Sequence, residues 1–354
     1  MGYTQSLKNI ALQLGFDRVA VSSVLPDPNE KERYLNWRNL GFAGNLQYMV
    51  RDTPRRWVAQ DLLPDARSII TFAVNFFSGS KKMEPKYGYG RVARYAWGKD
   101  YHDVIRERLE EWVKLVREYV GPSFQAKILV DSGPLLERSF ARRSGLGFVG
   151  KNTVIISKQF GSFIFLSEVI TNLELESDEM KRSPYYKDDC GSCRECMVQC
   201  PTGALVMPRK LDARKCISYW TIENKGEIPL EMRSGIGDWI FGCDICQEVC
   251  PYIGLSKTTK WKEFLPENGC GPYLSLSEVL SIREDKEFKQ KFAGTPILRS
   301  KRGGLLRNAC IVSANQKFRE AIPVLEQCAT EDPEELVRAS ALNALESLMR
   351  GPEF

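Results

Sequence analysis

The chain has 354 residues, 43% hydrophobic, 27% charged and 10% aromatic, which excludes a disordered or fibrous protein and, by length, implies two or three domains. Fifty Lys and Arg against forty-five Asp and Glu leave a net charge of +5, which permits a polyanionic partner without demanding one. One His against eleven Cys excludes a histidine-built zinc site or catalytic triad and directs attention to thiol chemistry.

The opening MGYTQSLKNIALQLGFD lacks a cationic stretch followed by an apolar one, so export is not expected and a cytoplasmic protein is. MGYTQS fits a loose myristoylation pattern, but Leu7, Ile10, Ala11 and Leu14 recur at helical spacing and predict a buried face instead. RVAVSSV from Arg18 reads as a strand, and Pro26 to Glu32 as a polar stretch. SIITFAVNFF, from Ser68 to Phe77 and bounded by SGSKK, predicts a buried strand. Helical periodicity runs from Tyr101 to Tyr119, strand KILVD ends at Asp131, and Leu135 to Ser144 predicts a helix that stops at GLG. Strands TVIIS and SFIFLSEVIT follow, and the alternation predicts an α/β or α+β layer domain. The GLGFVG stretch from Gly145 has dinucleotide-binding spacing but follows a helix, so it reads as a turn; no GxxxxGK[ST] occurs, and no DxHxxG surrounds His102. No apolar run approaches the roughly 18 to 20 residues of a membrane span.

From Asp188 to Ile253 the chain becomes a series of Cys-punctuated turns, too poor in apolar runs for an ordinary core. After the linker PENGCGPY, helices are predicted over Leu305 to Ala314, Glu320 to Ala329 and Pro333 to Met349. Pairs of this length suggest HEAT-type αα-hairpins; a helical cap on the cysteine domain is the alternative. The expected division is residues 1–178, 179–265 and 266–354.

Eight of the eleven Cys lie between Cys190 and Cys250, a clustering that points to metal rather than to disulfides. Cys190-x2-Cys193-x2-Cys196-x3-Cys200-Pro201 is the bacterial ferredoxin run, in which three thiolates hold one [4Fe-4S] cluster and the fourth reaches another. The second run, Cys243-x2-Cys246-x3-Cys250-Pro251, has Ile240 where its first Cys would stand. Cys216, between the runs, is the best source of the missing thiolate, because Cys270 lies in the linker and Cys310 and Cys328 in apolar helical contexts. The expected sets are Cys190, Cys193, Cys196 and Cys250 for one cluster, and Cys200, Cys216, Cys243 and Cys246 for the other. Paired zinc ribbons are the competing reading, disfavoured by the CxxCxxCxxxCP spacing. The clusters would deliver single electrons, and the large domain before them is the natural destination.

Beyond spacing, the chain resembles the epoxyqueuosine reductases of tRNA modification. The resemblance rests on ARYAWGKDYHDVIRERL, VDSGPLLERSFARRSGLGFVGKNT, CGSCRECMVQCPTGAL, CISYWTIE, FGCDICQEVCP and KRGGLLRNA, in this order. It implies an α+β multidomain chain: an α/β, nitroreductase-like cobalamin-binding domain, a two-cluster bacterial-ferredoxin-like domain and a HEAT-like segment that helps hold tRNA. It also implies base-off cobalamin beside two [4Fe-4S] clusters, and reduction of epoxyqueuosine to queuosine at the wobble position of a tRNA anticodon stem-loop, the last step of queuosine synthesis. A monomer fed by an external low-potential donor such as flavodoxin or ferredoxin is expected.

Asp131 alone reads as an N-cap after a strand; the resemblance makes it the proton donor, needing a raised pKa that burial against the corrin would give. The same resemblance carries cofactor contact to Arg56, Asp131, Asn152, Thr153, Ile156, Ser157, Val206, Ser218, Thr221 and Asp244, and Ala93 stands where some members carry Cys. His102 is either a capping residue or a cofactor contact. Arg299, Lys301, Arg302 and Arg307, with Arg138, Arg142 and Arg143, are candidate RNA contacts, unless they form a solvated helix face. Two rivals are a reductive dehalogenase, typically exported with a twin-arginine signal, and a ferredoxin subunit that only carries electrons.

Overall fold

The computed structural model describes residues 3–51, 54–79, 82–179 and 189–350. Gly2 of the myristoylation pattern, Ser80 and Lys81 of the SGSKK breaker, Asp188 and the stretch 351–354 lie outside the described residues.

The first layer is a four-stranded sheet in the order Arg18–Ser23, Ser68–Asn75, Ile164–Thr171, Ala126–Leu129, every neighbouring pair antiparallel. Antiparallel pairing settles the class as α+β. Every residue of Ser68–Asn75 is buried because both faces are covered. Ile70, Phe72 and Val74 face Leu7 and Ala11 of the Tyr3–Gln13 helix and Ile105, Leu109 and Trp112 of the Tyr101–Val120 helix. Ile69 and Ala73 face the opposite way, toward Phe140 and Ala141 of the Glu137–Arg143 helix. The period-2 alternation of the strand thus assigns its two faces to different helices.

Two stretches differ from expectation. Pro26 to Glu32 is not a loop but the start of a helix, Pro28–Asn39, capped by Asp27, which accepts the Asn29 N–H, with Pro28 in the first turn. Only Tyr34 of that helix is buried, so no apolar stripe announced it. TVIIS shrinks to Ile155–Ile156, paired with Phe148–Val149, because Thr153 turns the chain at φ 72°.

A second apolar core ignores the expected divisions. It joins Val92 and Trp97, Ile217 to Phe241, and Leu305 to Leu348 of the helices Lys301–Gln316, Ile322–Glu331 and Glu335–Met349. Its sheet sets Tyr89–Val92 between parallel Trp239–Phe241 and antiparallel Tyr273–Ser275. Ile240, at the position that lacks a Cys, is fully buried against Gly90 in this sheet. Cys310 and Cys328 are core residues without exposure, and Cys270 packs beside them, as expected for small apolar side chains.

Candidate functional site

The Tyr101–Val120 helix begins at Asp100, whose carboxylate accepts the His102 N–H at 3.0 Å and faces His102 Nδ1 at 2.7 Å. Capping fixes the first turn. His102 Nε2 lies 3.6 Å from Asp131 Oδ2, and Tyr101 Oη donates to the same oxygen at 2.5 Å. The rings of Phe76, Phe165, Tyr101 and His102 stack in succession, with centroids 4.1, 4.2 and 4.1 Å apart. The aromatic column orients the imidazole toward Asp131.

Desolvation pulls the His102 pKa down, but the carboxylates of Asp100 and Asp131 outweigh it and raise it to about 9. The ring is therefore an imidazolium at neutral pH, with no lone pair to offer a metal. Desolvation likewise raises the Asp131 carboxyl, yet the His102 imidazolium 3.6 Å away and the hydrogen bond from Tyr101 bring it below its ordinary value. In the protein alone, the proton of the pair rests on His102; the raised Asp131 pKa expected from burial against a corrin belongs to the cofactor-bound state. Asp131 is no helix cap, since Leu136 stands at the N-cap of Glu137–Arg143. It sits instead in a turn at φ 52°, a left-handed conformation that costs energy for any residue with a Cβ. Its side chain is 58% exposed, open to a reactant.

The thiols fall into two neighbourhoods. Burial and then the neighbouring Cys190, Cys250 and Cys193 push the Cys196 thiol up to about 11. Burial, Cys246 and Cys216 raise Cys243, while Cys246 feels Cys216 and, more weakly, both Cys196 of the first neighbourhood and Cys200. All eight thiols are free of disulfides. A cavity of about 220 Å³ opens between the first four, Asn152, Ile156 and Tyr252. Among the described residues, no three His, Cys, Asp or Glu converge on a single metal ion. Lys151, buried, donates to the carbonyls of Gly191 and Cys193 and holds the first loop in shape.

The other expected contacts divide into two sorts. Asn152 is buried, donates to Cys246 O at 3.1 Å, and leaves its Oδ1 without a hydrogen-bond partner. Thr153 O accepts from Arg138, Ser218 is partly buried, Val206 is 36% exposed, and Ile156 is buried in the cavity wall. Arg56 is buried against the Tyr34 ring, donates to Pro134 O, and accepts the Leu136 N–H, so it ties down the segment after Asp131. Ser157 and Thr221 have no accessible surface, and the Thr221 hydroxyl donates to Ile217 O and accepts the Gly242 N–H. Asp244, 2% exposed, accepts the Arg94 N–H and supports the site from behind.

The RNA candidates also divide. Arg302 is buried between Asp332 and Glu334, and Arg307 donates to the carbonyls of Trp220, Asn224 and Gly226, so both are corrected to structural roles. Arg142 pairs with Asp27 and Glu30, and Arg143 with Glu179. Lys301, Arg138 and Arg299 remain exposed, the last paired with Glu223 beside the Tyr48 ring. Sequence reasoning missed Tyr101 and Tyr95; Tyr95 lies between the Tyr101 ring and Phe241, next to the second thiol group, and feels the charges of Asp131 and Asp244.

An α+β chain that sets two four-thiol groups near a protonated His and an open Asp has the build of an iron–sulfur oxidoreductase, and residues 189–253 match the family described as 4Fe-4S double cluster binding domain. Residues 56–132 match the family described as epoxyqueuosine reductase QueG, DUF1730. The epoxyqueuosine reductase of Pseudomonas aeruginosa is 37% identical over 342 residues, covering 94% of this chain and 91% of that one. The chain belongs to the epoxyqueuosine reductase family. Among solved structures, an epoxyqueuosine reductase with a tRNA-Tyr epoxyqueuosine-modified stem loop superposes with a TM-score of 0.88 at 32% identity, over 97% of this chain and 89% of that one. The Bacillus subtilis enzyme with its catalytic aspartate loop swung out of the active site superposes at 0.86 with 31% identity, over 97% and 90%.

Proposed function

We propose that this chain reduces epoxyqueuosine in the anticodon stem-loop of tRNA to queuosine, with cobalamin and two [4Fe-4S] clusters. The single observation that carries the chemistry is the proton-bearing Tyr101–His102–Asp131 group in a chain that also gathers eight thiols into two fours. Cys190, Cys193, Cys196 and Cys250 would ligate one cluster, and Cys200, Cys216, Cys243 and Cys246 the other.

The reaction balances as epoxide plus two electrons and two protons giving alkene plus water: both C–O bonds break and one C=C bond forms. A low-potential donor such as flavodoxin or ferredoxin would supply the two electrons, and the clusters held by the eight thiolates would supply the one-electron chemistry. Cobalamin, bound base-off, would supply a low-valent cobalt centre able to reduce the epoxide. Thr153, Val206 and Ser218, which are partly exposed, would offer such a corrin backbone groups and apolar surface. His102, the one histidine in the sequence, is engaged by two carboxylates and would not serve as a metal ligand. At neutral pH His102 holds a proton that Asp131 passes to the departing oxygen; solvent supplies the second.

In this reading the first layer is the nitroreductase-like cofactor domain, and the three C-terminal helices are HEAT-like and support the RNA, with Lys301, Arg299 and Arg138 as the exposed cations that meet phosphate. The Asp131 turn would be mobile, as is the catalytic aspartate loop that stands swung out of the active site in the Bacillus subtilis enzyme. Among the described residues no helix is long and apolar enough to cross a membrane; we assign the enzyme to the cytoplasm as a monomer. The test is incubation of the anaerobically reconstituted protein, loaded with cobalamin, with reductant and an epoxyqueuosine-bearing stem-loop. Conversion to the species lighter by one oxygen is expected; unchanged RNA with full cofactor loading would refute the reading.

A further inference from the structure

Cys216 is the one clustered thiol that no run of fixed spacing places, and a buried hydrogen-bond network surrounds the chain on either side of it. Trp220 N–H donates to Cys216 O at 3.1 Å, and from there the chain winds through a π-helical turn, Tyr219–Glu223. Such a turn ends on carbonyls that have no donor within it. Beside it runs the strand Trp239–Phe241, where Ile240 stands in place of the missing Cys and the chain leads on to Cys243. Asn308, in the middle of the Lys301–Gln316 helix and without exposure, reaches both segments. Its amide nitrogen donates to Thr221 O at 2.8 Å and to Ile240 O at 2.9 Å. Its amide oxygen accepts from Arg307 Nε at 3.1 Å and Nη2 at 2.8 Å, which fixes the orientation of the amide. Arg307, equally buried, donates also to Trp220 O at 2.7 Å, Asn224 O at 2.9 Å and Gly226 O at 2.5 Å. The Thr221 hydroxyl adds a second tie between the segments, donating to Ile217 O at 2.8 Å and accepting the Gly242 N–H at 2.9 Å.

A guanidinium and an amide inside an apolar core are costly unless their donors are matched. Helix packing alone asks only for side chains such as Leu305, Ala309 and Val312, which flank the pair in the same core. The bonds of Arg307 and Asn308 instead converge on two segments that each adjoin a ligand thiol: Ile217 follows Cys216, and Gly242 precedes Cys243. A cluster demands its four sulfurs in one geometry, and a ligand drawn from outside the run must have its backbone set against that run. We propose that Arg307 and Asn308 are positioning residues of the second cluster, splinting the Cys216 turn to the Cys243 run. The C-terminal helix thereby completes a cluster site whose own motif is one Cys short. The inference rests on the reading of Cys216 as the eighth ligand.

The experiment compares Asn308→Ala, Thr221→Val and Cys216→Ser with the wild type, each as the full chain purified anaerobically with its clusters. Iron content, the electron paramagnetic resonance signals of the reduced clusters, and backbone hydrogen exchange over residues 216–223 and 241–250 are read together. Exchange of the Ser68–Asn75 strand serves as the control for folding. Asn308→Ala should lose roughly half the iron and one cluster signal, the same signal that Cys216→Ser removes. It should also speed exchange in both peptides roughly tenfold, the loss of ordinary hydrogen bonds, while the Ser68–Asn75 strand stays protected. Thr221→Val keeps the shape and removes only the hydroxyl, so exchange at Gly242 should quicken by a similar factor, with a smaller loss of the same cluster. Both peptides and both signals at the wild-type level in a folded Asn308→Ala protein would overturn the splint. Loss of both clusters together with faster exchange of the Ser68–Asn75 strand would also overturn it, by making Asn308 a general packing residue. Should Asn308→Ala fail to fold, Thr221→Val decides: unchanged exchange at Gly242 with an intact signal overturns the splint. Full iron in Cys216→Ser would overturn the ligand reading instead, and exchange in the two peptides would still decide whether Asn308 ties them.

Discussion

Seven of the eight clustered thiols come from two short runs with fixed spacing, whereas the proton site draws Tyr101 and His102 from a helix start and Asp131 from a turn some thirty residues on. The thiol region has little apolar core of its own and leans on the bound inorganic core that its spacing anticipates. The proton site is the reverse: its geometry comes wholly from a packed sheet, an aromatic column and hydrogen bonds. Electron delivery is built from local sequence, and proton delivery from tertiary structure. The two should therefore fail independently.

Replacing Cys216, the one thiolate supplied from outside the runs, would break the electron side most severely. Cys216→Ser is expected to lose roughly half the bound iron and all turnover, with the other cluster's spectrum retained. Iron content at the wild-type level would show that another residue completes the second cluster. On the proton side, Asp131→Asn should lower turnover by about 10²- to 10⁴-fold at unchanged iron content.

A smaller effect, more diagnostic of mechanism, comes from pH. His102 has its pKa raised to about 9 in the folded protein. The ion-pair stabilisation is thus fully present below roughly pH 6.5, the unfolded value, and is lost as pH rises through about 9. Turnover should fall over the same upper limb, and His102→Gln should abolish that limb while reducing the neutral-pH rate about tenfold. An unaltered pH profile in His102→Gln would remove the imidazolium from proton supply.

The basic residues carry the contrast to the surface. Arg302→Met breaks a buried pair with Asp332 and should cost about 3 to 5 kcal/mol of stability without changing the salt dependence of RNA binding. Lys301→Glu should leave stability alone and flatten the salt slope by roughly one unit. A steep loss of RNA affinity in a stable Arg302→Met protein would restore Arg302 to the RNA surface.

What the sequence made legible follows from the same division. The Ser68 strand, the Tyr101 helix and the C-terminal helices carry strong apolar periodicity, and the thiol runs carry rigid spacing, so both could be read from neighbouring residues. Pro28–Asn39 was hidden because it buries almost nothing, although Asp27-Pro28 is an N-terminal signal. Arg302 and Arg307 looked like surface cations because burial depends on Asp332 and on the carbonyls of residues 220–226, which local pattern does not reveal. Asp131 was located by resemblance, but its proton balance was not, since Tyr101 and His102 reach it only across the fold.

The separation of electron and proton delivery is tested most directly by Asp131→Asn, loaded with both clusters and cobalamin and mixed with reductant and epoxyqueuosine-bearing stem-loop under anaerobic conditions. Following cluster reduction by electron paramagnetic resonance and the RNA product by mass in the same samples, the account predicts clusters that reduce as in the wild type and RNA that keeps its epoxide oxygen. Clusters that no longer reduce, or queuosine formed at the wild-type rate, would contradict it.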